Sequence, residues 1–245
     1  MSEIIAEDFM SVVIPAFNEE ENIRRIPSEL LPILDGMGIG YEVIIIDDGS
    51  RDSTSEEVDK ISKLHKGVRL VRHEENMGLA EATRTGIKHA RGNITVFLDA
   101  DFTFHPQDIP KLYAKYRETH CDCVVGSHFI SKGSTEVELH RLILSRTLNF
   151  LYSLLLGKKV STISSIFRLY KTEALKKLNL TSKGFSICAE ILVNMLRDAR
   201  HIEEVPVKLT TRIYGNSKIN ARKEFMNHMR MLLRIFAWNV KRLFS

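Results

Sequence analysis

Short apolar runs rich in β-branched residues recur along the first half of the chain, at 11–17 (SVVIPAF), 42–48 (EVIIIDD), 68–73 (VRLVRH) and 94–98 (ITVFL). Such runs predict buried strands, with Pro15 at the exit of the first, where a missing N–H is tolerated. Helices are expected between them. Asn18 is placed to cap one whose first turn carries Glu19, Glu20 and Glu21; another opens near 52–54, and a third covers 79–90 until Arg91-Gly92-Asn93 breaks it. Strand and helix alternating at about 25 to 30 residues predict an α/β, Rossmann-like, mostly parallel sheet with helices on both faces. The first strand-helix turn, PAFNEEEN, lacks the glycines of a dinucleotide site, and no P-loop occurs.

Beyond residue 120 the pattern changes. Residues 121–129 (CDCVVGSHF) read as a strand entering a loop, and 139–156 as a mostly apolar helix bearing Arg141 and Arg146. A further helix opens near Phe185. Residues 221–244 set Phe225, Met229, Leu232, Leu233, Ile235, Phe236, Trp238 and Leu243 against Arg222, Lys223, Arg230, Arg234, Lys241 and Arg242, with Glu224 as the single acid. A basic amphipathic helix bearing Trp and Phe suits a membrane surface; docking or dimerisation is the other reading. For 139–156 the alternative is a core helix packed on the sheet.

Composition narrows the class without changing the fold. At 245 residues, 44% hydrophobic and 27% charged, the chain is long enough for a substantial core and too apolar for wholesale disorder. Three cysteines, Cys121, Cys123 and Cys188, have no framework or zinc spacing, which predicts free thiols in a reducing compartment. The opening MSEIIAEDFM has acids where a signal peptide needs positive charge, and no apolar run reaches the ~18 to 20 residues of a membrane span. The expectation is a cytoplasmic protein, at most peripheral to the cytoplasmic face of a membrane. A net charge of +4 without the motifs of an RNA-binding sheet predicts no nucleic acid partner.

Candidate chemistry gathers at two strand ends. Asp99 and Asp101 follow the fourth run with the spacing Asp-x-Asp, so on a strand they would point the same way. Asp47 and Asp48 close the second run. Ligands of a parallel sheet sit beyond the carboxyl ends of its strands, where paired carboxylates suit a hard divalent cation held against a diphosphate.

These segments carry a resemblance. SVVIPAFNEEENI, VIIIDDGSRDST, ENMGLAEATRTGIKHARG and FLDADFTFHPQDIPKL, in this order, resemble the nucleotide-sugar-binding half of family 2 glycosyltransferases with the GT-A fold. Residues 164–170, 184–190, 205–207 and 212–218 are more loosely similar to its polyprenyl-phosphate sugar transferases, the dolichyl-phosphate mannose synthase group. The resemblance implies a catalytic domain over 1–218 (donor half 8–118, acceptor half 119–218), followed by an amphipathic interface helix over 219–245. It implies an inverting, metal-dependent transfer of a hexose from a nucleotide sugar, GDP-mannose favoured, to a polyprenyl or dolichyl phosphate at a membrane surface, with an integral-membrane subunit or homodimer as a further partner.

Residue by residue, the resemblance implies that Pro15, Phe17, Glu19, Asp47, Asp48, Asn76, Gly78, Asp99 and Asp101 bind the nucleotide sugar. Asp99, Asp101 and Thr103 would hold Mg²⁺ or Mn²⁺, and Arg141, Arg146, Arg168, Arg212 and Lys218 would meet the lipid phosphate. Asp101 and Arg168 would be catalytic, and Glu190 would act as a base or orient an arginine. Arg84 reads as a sugar or phosphate contact or as a solvated helix face. Three positions depart from the group's pattern: Thr103 stands for Gln, His128 for Arg, and Ile166 for Gly. Two rivals stay open, a soluble transferase acting on a glycan hydroxyl with Glu190 as base, and a non-catalytic nucleotide-sugar-binding protein.

Overall fold

A computed structural model describes residues 8–130, 139–215 and 220–243. Seven strands form one mixed sheet in the order β3-β2-β1-β4-β6-β5-β7. They are β1 (Phe9–Ala16), β2 (Gly40–Asp47), β3 (Val68–Arg72), β4 (Ile94–Phe97), β5 (Cys123–Ser127), β6 (Arg168–Lys171) and β7 (Ile202–Pro206). Every neighbouring pair is parallel except those involving β6, which runs against both β4 and β5. The mostly parallel sheet expected from the sequence is therefore observed.

Period-two alternation sends successive side chains to two separate cores. Val12, Ile14, Val43 and Ile45 pack under α1 (Glu20–Ile23), α2 (Leu31–Asp35), α3 (Thr54–Leu64) and α5 (Ile109–Thr119). Val13, Ile44, Ile46 and Phe97 face α4 (Leu79–His89), α6 (Leu139–Leu156), α7 (Thr172–Lys176), α8 (Ser186–Arg197) and α9 (Ala221–Leu243). Helix α9 buries Met231, Leu232 and Ile235 in that second core, so it is part of the packed body as well as the last element.

Several boundaries differ from expectation for identifiable reasons. Pro15 lies inside β1, opposite Ile46. The Val13 carbonyl accepts from Leu98 N, so the backbone two residues on faces the same side, where β4 has already ended and no donor is needed. Asn18 does not cap α1. It takes a left-handed φ of 52° and its side chain accepts from Arg51 N at 2.8 Å, joining the first two strand exits. Strand β4 stops at Phe97, so Asp99 and Asp101 belong to a turn rather than to a strand's pleat.

Candidate active site

The carboxyl ends of β1, β2 and β4 open onto one acidic corner. Phe102 N bonds to the Asp99 carbonyl at 3.2 Å and Phe102 takes a φ of 55°, while Asp101 Oδ1 accepts from Thr103 N at 3.0 Å. The turn, rather than strand alternation, presents the two carboxylates. Arg25 holds it from outside, donating to the Asp101 carbonyl at 3.0 Å with its guanidinium 5.0 Å from the Phe102 ring. Glu19, at the exit of β1, is buried and accepts from Asn22 Nδ2 at 2.6 Å.

A basic residue closes this corner. Residues after β7 run beside the acidic turn, through Thr210 N to Thr103 O at 2.9 Å and a bridge between Phe104 and Leu209. They deliver Arg212, whose guanidinium lies 2.7 Å from Asp101 Oδ2 and 3.1 Å from Glu19 Oε1. Burial pushes the Asp99 carboxyl up to about 8, the charges of Asp101 and Glu19 acting the same way and Arg212 opposing them. Among the described residues the corner sets three carboxyl groups, those of Glu19, Asp99 and Asp101, around the one guanidinium of Arg212.

That imbalance fits a divalent metal. Asp99, Asp101 and the Thr103 hydroxyl are hard oxygen donors. Among the described residues no three of His, Cys, Asp or Glu make a complete metal cage. Mg²⁺ and Mn²⁺ sites of this kind take one or two carboxylates and complete their shell with substrate phosphates and water.

Pro15 and Phe17 line the same end of the sheet, both partly exposed, and Asn76 is exposed on the loop before α4. Gly78 sits at the head of α4 with φ of 88°. Gly49 shows how tightly neighbouring loops meet: a Cβ there would stand 2.4 Å from the Glu75 carbonyl carbon.

Other expected site residues need correction. Asp47 is fully buried, accepting from Ser50 N at 2.9 Å and from the Ser55 hydroxyl. Asp48 accepts from Met77 N at 3.0 Å and Gly78 N at 2.7 Å, and lies 2.7 Å from His73 Nδ1. A carboxylate only accepts, so His73 Nδ1 donates to Asp48, and its Nε2 lies 2.9 Å from Thr85 Oγ1. Both acids hold neighbouring loops together at the strand end. Arg168 is fully buried, donating to the carbonyls of Cys188, Ile163 and Thr162, so it cannot meet a lipid phosphate. Glu190 is buried beneath the 180–183 loop, accepting from Thr181 N, Ser182 N and Arg234 Nη1, and is no free base. Arg84 ties α4 to that loop through the Leu180 carbonyl at 3.0 Å.

Arg146 is exposed on α6 with its guanidinium 6.0 Å from the Phe129 ring. The Arg141 side chain and Lys218 lie outside the described residues. Arg25 and His73 escaped sequence reasoning. His73 was findable, because β3 neighbours β2 and its exit must meet Asp48; nothing in the spacing singled out Arg25.

Residues 11–179 match the family model described as glycosyl transferase family 2. The chain is 30% identical over 233 residues to a dolichol-phosphate mannosyltransferase of Pyrococcus furiosus, covering 94% of this chain and 64% of that protein. It is 30% identical over 225 residues to an undecaprenyl-phosphate 4-deoxy-4-formamido-L-arabinose transferase of Edwardsiella ictaluri, covering 91% of this chain and 66% of the relative. It therefore spans a little under two thirds of the length of these curated relatives. In fold it is similar to glucosyl-3-phosphoglycerate synthase of Mycobacterium tuberculosis, solved with Mn²⁺, UDP and glucosyl-3-phosphoglycerate, with a TM-score of 0.67, 23% identity, and 94% of this chain and 78% of that one covered.

Proposed function

The chain belongs to glycosyl transferase family 2, and from that premise we propose that it transfers a hexose, with inversion, from a nucleotide sugar to a polyprenyl phosphate at a membrane surface. GDP-mannose is the favoured donor, by similarity to the mannosyltransferase relative. The observation that carries the acceptor is the exposed apolar surface of two adjacent helices: Ile143, Leu144, Phe150 and Leu154 on α6, and Phe225, Met226, Leu233 and Phe236 on α9. Among the described residues no helix is long and apolar enough to cross a bilayer, so these side chains suit lying in the interface.

Donor binding falls to the corner at the ends of β1 and β4. Asp99, Asp101 and Thr103 would hold Mg²⁺ or Mn²⁺, which when bound neutralises charge on the leaving diphosphate. Glu19 and Asp101 hold Arg212 at that place, so its guanidinium has a short path from carboxylate to phosphate, an anion its planar fork matches. Asp47, Asp48 and His73 fix the loops around Gly49 and Gly78, beside which the nucleoside would lie. The domain division at 218 becomes a division of labour, with α9 serving both core and interface.

A phosphate acceptor also explains why Glu190 can be spent on structure. A hydroxyl nucleophile needs a positioned base, whereas a phosphate monoester is ionised at neutral pH and needs orientation and cations. Arg146 is the exposed candidate for that contact. The glycan-hydroxyl rival loses the base it required.

The experiment is incubation with radiolabelled GDP-mannose, UDP-glucose or UDP-N-acetylglucosamine and polyprenyl phosphate, followed by organic extraction. Label in the lipid phase is expected, and Asp101→Asn should abolish it with the fold intact by circular dichroism. Label only in water-soluble glycan would favour the rival transferase. Donor binding with no transfer at all would make the protein a non-catalytic binder.

A further inference from the structure

Strands β4 and β5 both pair with β6, through Phe97 and Val125 opposite Arg168, and Gly126 N donates to the Phe167 carbonyl at 3.1 Å. Because β6 runs the other way, its entrance lies among the exits of its neighbours. Ser165 precedes Arg168 by three residues, as His128 follows Val125 by three, so both lie beyond the same end of the pairing. Aromatic contacts tie this corner to the acidic turn: Phe104 is stacked 5.4 Å from Phe167 and lies 6.2 Å from the His128 ring.

The segment leading into β6 is pinned from several elements. Ser161 Oγ donates to Ser127 Oγ at 2.7 Å and Ser161 N to Glu204 Oε1 at 3.1 Å. Asn149 donates to the Ser161 carbonyl and accepts from Ile163 N, and Arg168 takes the carbonyls of Thr162 and Ile163. Within this fixed frame three enclosed polar atoms have no hydrogen-bond partner among the described residues: Arg168 Nε, inside the core, and, towards the strand ends, Ser165 Oγ, on a residue only 7% exposed, and His128 Nδ1. Buried polar atoms are ordinarily satisfied, so two orphans on a pinned wall beside the donor corner point to a ligand.

We propose that His128 and Ser165 form an uncharged subsite that hydrogen-bonds hydroxyl groups of the transferred pyranose, a deepening that rests on the nucleotide-sugar reading above. Sugar hydroxyls both donate and accept, which a serine hydroxyl and a neutral imidazole can reciprocate. Phosphate is a poorer match, because burial lowers His128 to about 4 and leaves it uncharged at neutral pH. The acceptor's phosphate is left to Arg146, steadied over Phe129, whose ring is 4.0 Å from that of His128. His128 and Ser165 are thus specificity-determining residues for the sugar.

Titration calorimetry with Mn²⁺ tests this, using GDP-mannose, UDP-glucose and UDP-N-acetylglucosamine, with GDP and UDP as sugar-free controls. Ser165→Ala and His128→Gln should each weaken the best-bound nucleotide sugar roughly three- to tenfold, the size of one neutral hydrogen bond, and leave the matching nucleoside diphosphate unchanged. Ser165→Ala removes an unpaired buried hydroxyl, so its melting temperature should hold or rise. Unchanged nucleotide-sugar binding in both variants overturns the subsite, as does equal weakening of sugar-bearing and sugar-free ligands. Should the unaltered protein bind none of the three donors, the donor reading falls and the subsite with it. If donors bind but no lipid is glycosylated, the acceptor reading falls while the subsite stands on its binding ratios.

Discussion

Arg212 contacts Glu19 and Asp101 at once, so one guanidinium supplies part of the positive charge that a divalent cation would bring to the same carboxylates. In the proposed donor site the two would compete for Asp101. Arg212→Ala should therefore bind Mn²⁺ more tightly without nucleotide, by roughly tenfold for a contact worth about 1.5 kcal/mol, while losing at least as much in sugar transfer because a diphosphate contact disappears. Mn²⁺ titration followed by electron paramagnetic resonance reads the first effect, and weaker or unchanged metal binding would refute the competition. At this scale the sequence was legible only where chemistry follows from spacing. Asp-x-Asp located the acidic turn; the number of partners each acid has already satisfied was hidden. Asp48 and Glu190 looked available because backbone donors from residues 77–78 and 181–182 leave no mark in composition. Arg168 looked like a phosphate ligand for the same reason, its three carbonyl partners being contributed by loops.

Between elements, the seam of α6 and α9 carries a titratable contact. His228 is 6% exposed, its Nδ1 lies 3.1 Å from the Tyr152 hydroxyl, and burial lowers its pKa to about 4. A histidine near 6.5 when unfolded and near 4 when folded binds more protons in the unfolded state, so stability is full above pH 6.5 and declines as pH falls towards 4. Between pH 7 and pH 5 the loss is roughly 2 kcal/mol. Urea unfolding at a series of pH values should show this slope, and His228→Leu should flatten it while His128, also lowered to about 4, keeps its own share. An unaltered slope in that variant would show that the seam is not responsible. Strands β1 to β5 and helices α1, α3, α4, α6, α8 and α9 were readable because hydrophobic periodicity dictates them. Strand β6 was not, since four residues opening on a buried arginine give no periodic signal. The true end of β4 was also out of reach, because it is fixed by where its neighbour's hydrogen bonds stop.

For the molecule as a whole, the unusual feature is where large apolar side chains remain outside. Helix α6 exposes Ile143, Phe150 and Leu154 at helical spacing, and α9 beside it exposes Met226, Leu233 and Phe236. The helices are locked together, Asn239 Nδ2 donating to the Leu155 carbonyl at 2.6 Å, so the surface is presented as a fixed unit. Removing α9 to test it would also remove Met231, Leu232 and Ile235 from the core, so the informative change is on the outer face alone. Burying a leucine or phenylalanine is worth about 1.5–3 kcal/mol, and nearby basic residues add about 1 kcal/mol each against anionic lipid, screened by salt. The double variant Leu233→Glu with Phe236→Glu should therefore lose sedimentation with phosphatidylglycerol vesicles by roughly a hundredfold or more at unchanged melting temperature. Raised salt should weaken the unaltered protein only in part. If the double variant still sediments, the stripe faces something other than lipid. A second copy of the chain is then the occupant to test, by whether the same substitutions turn a dimer into a monomer in light scattering.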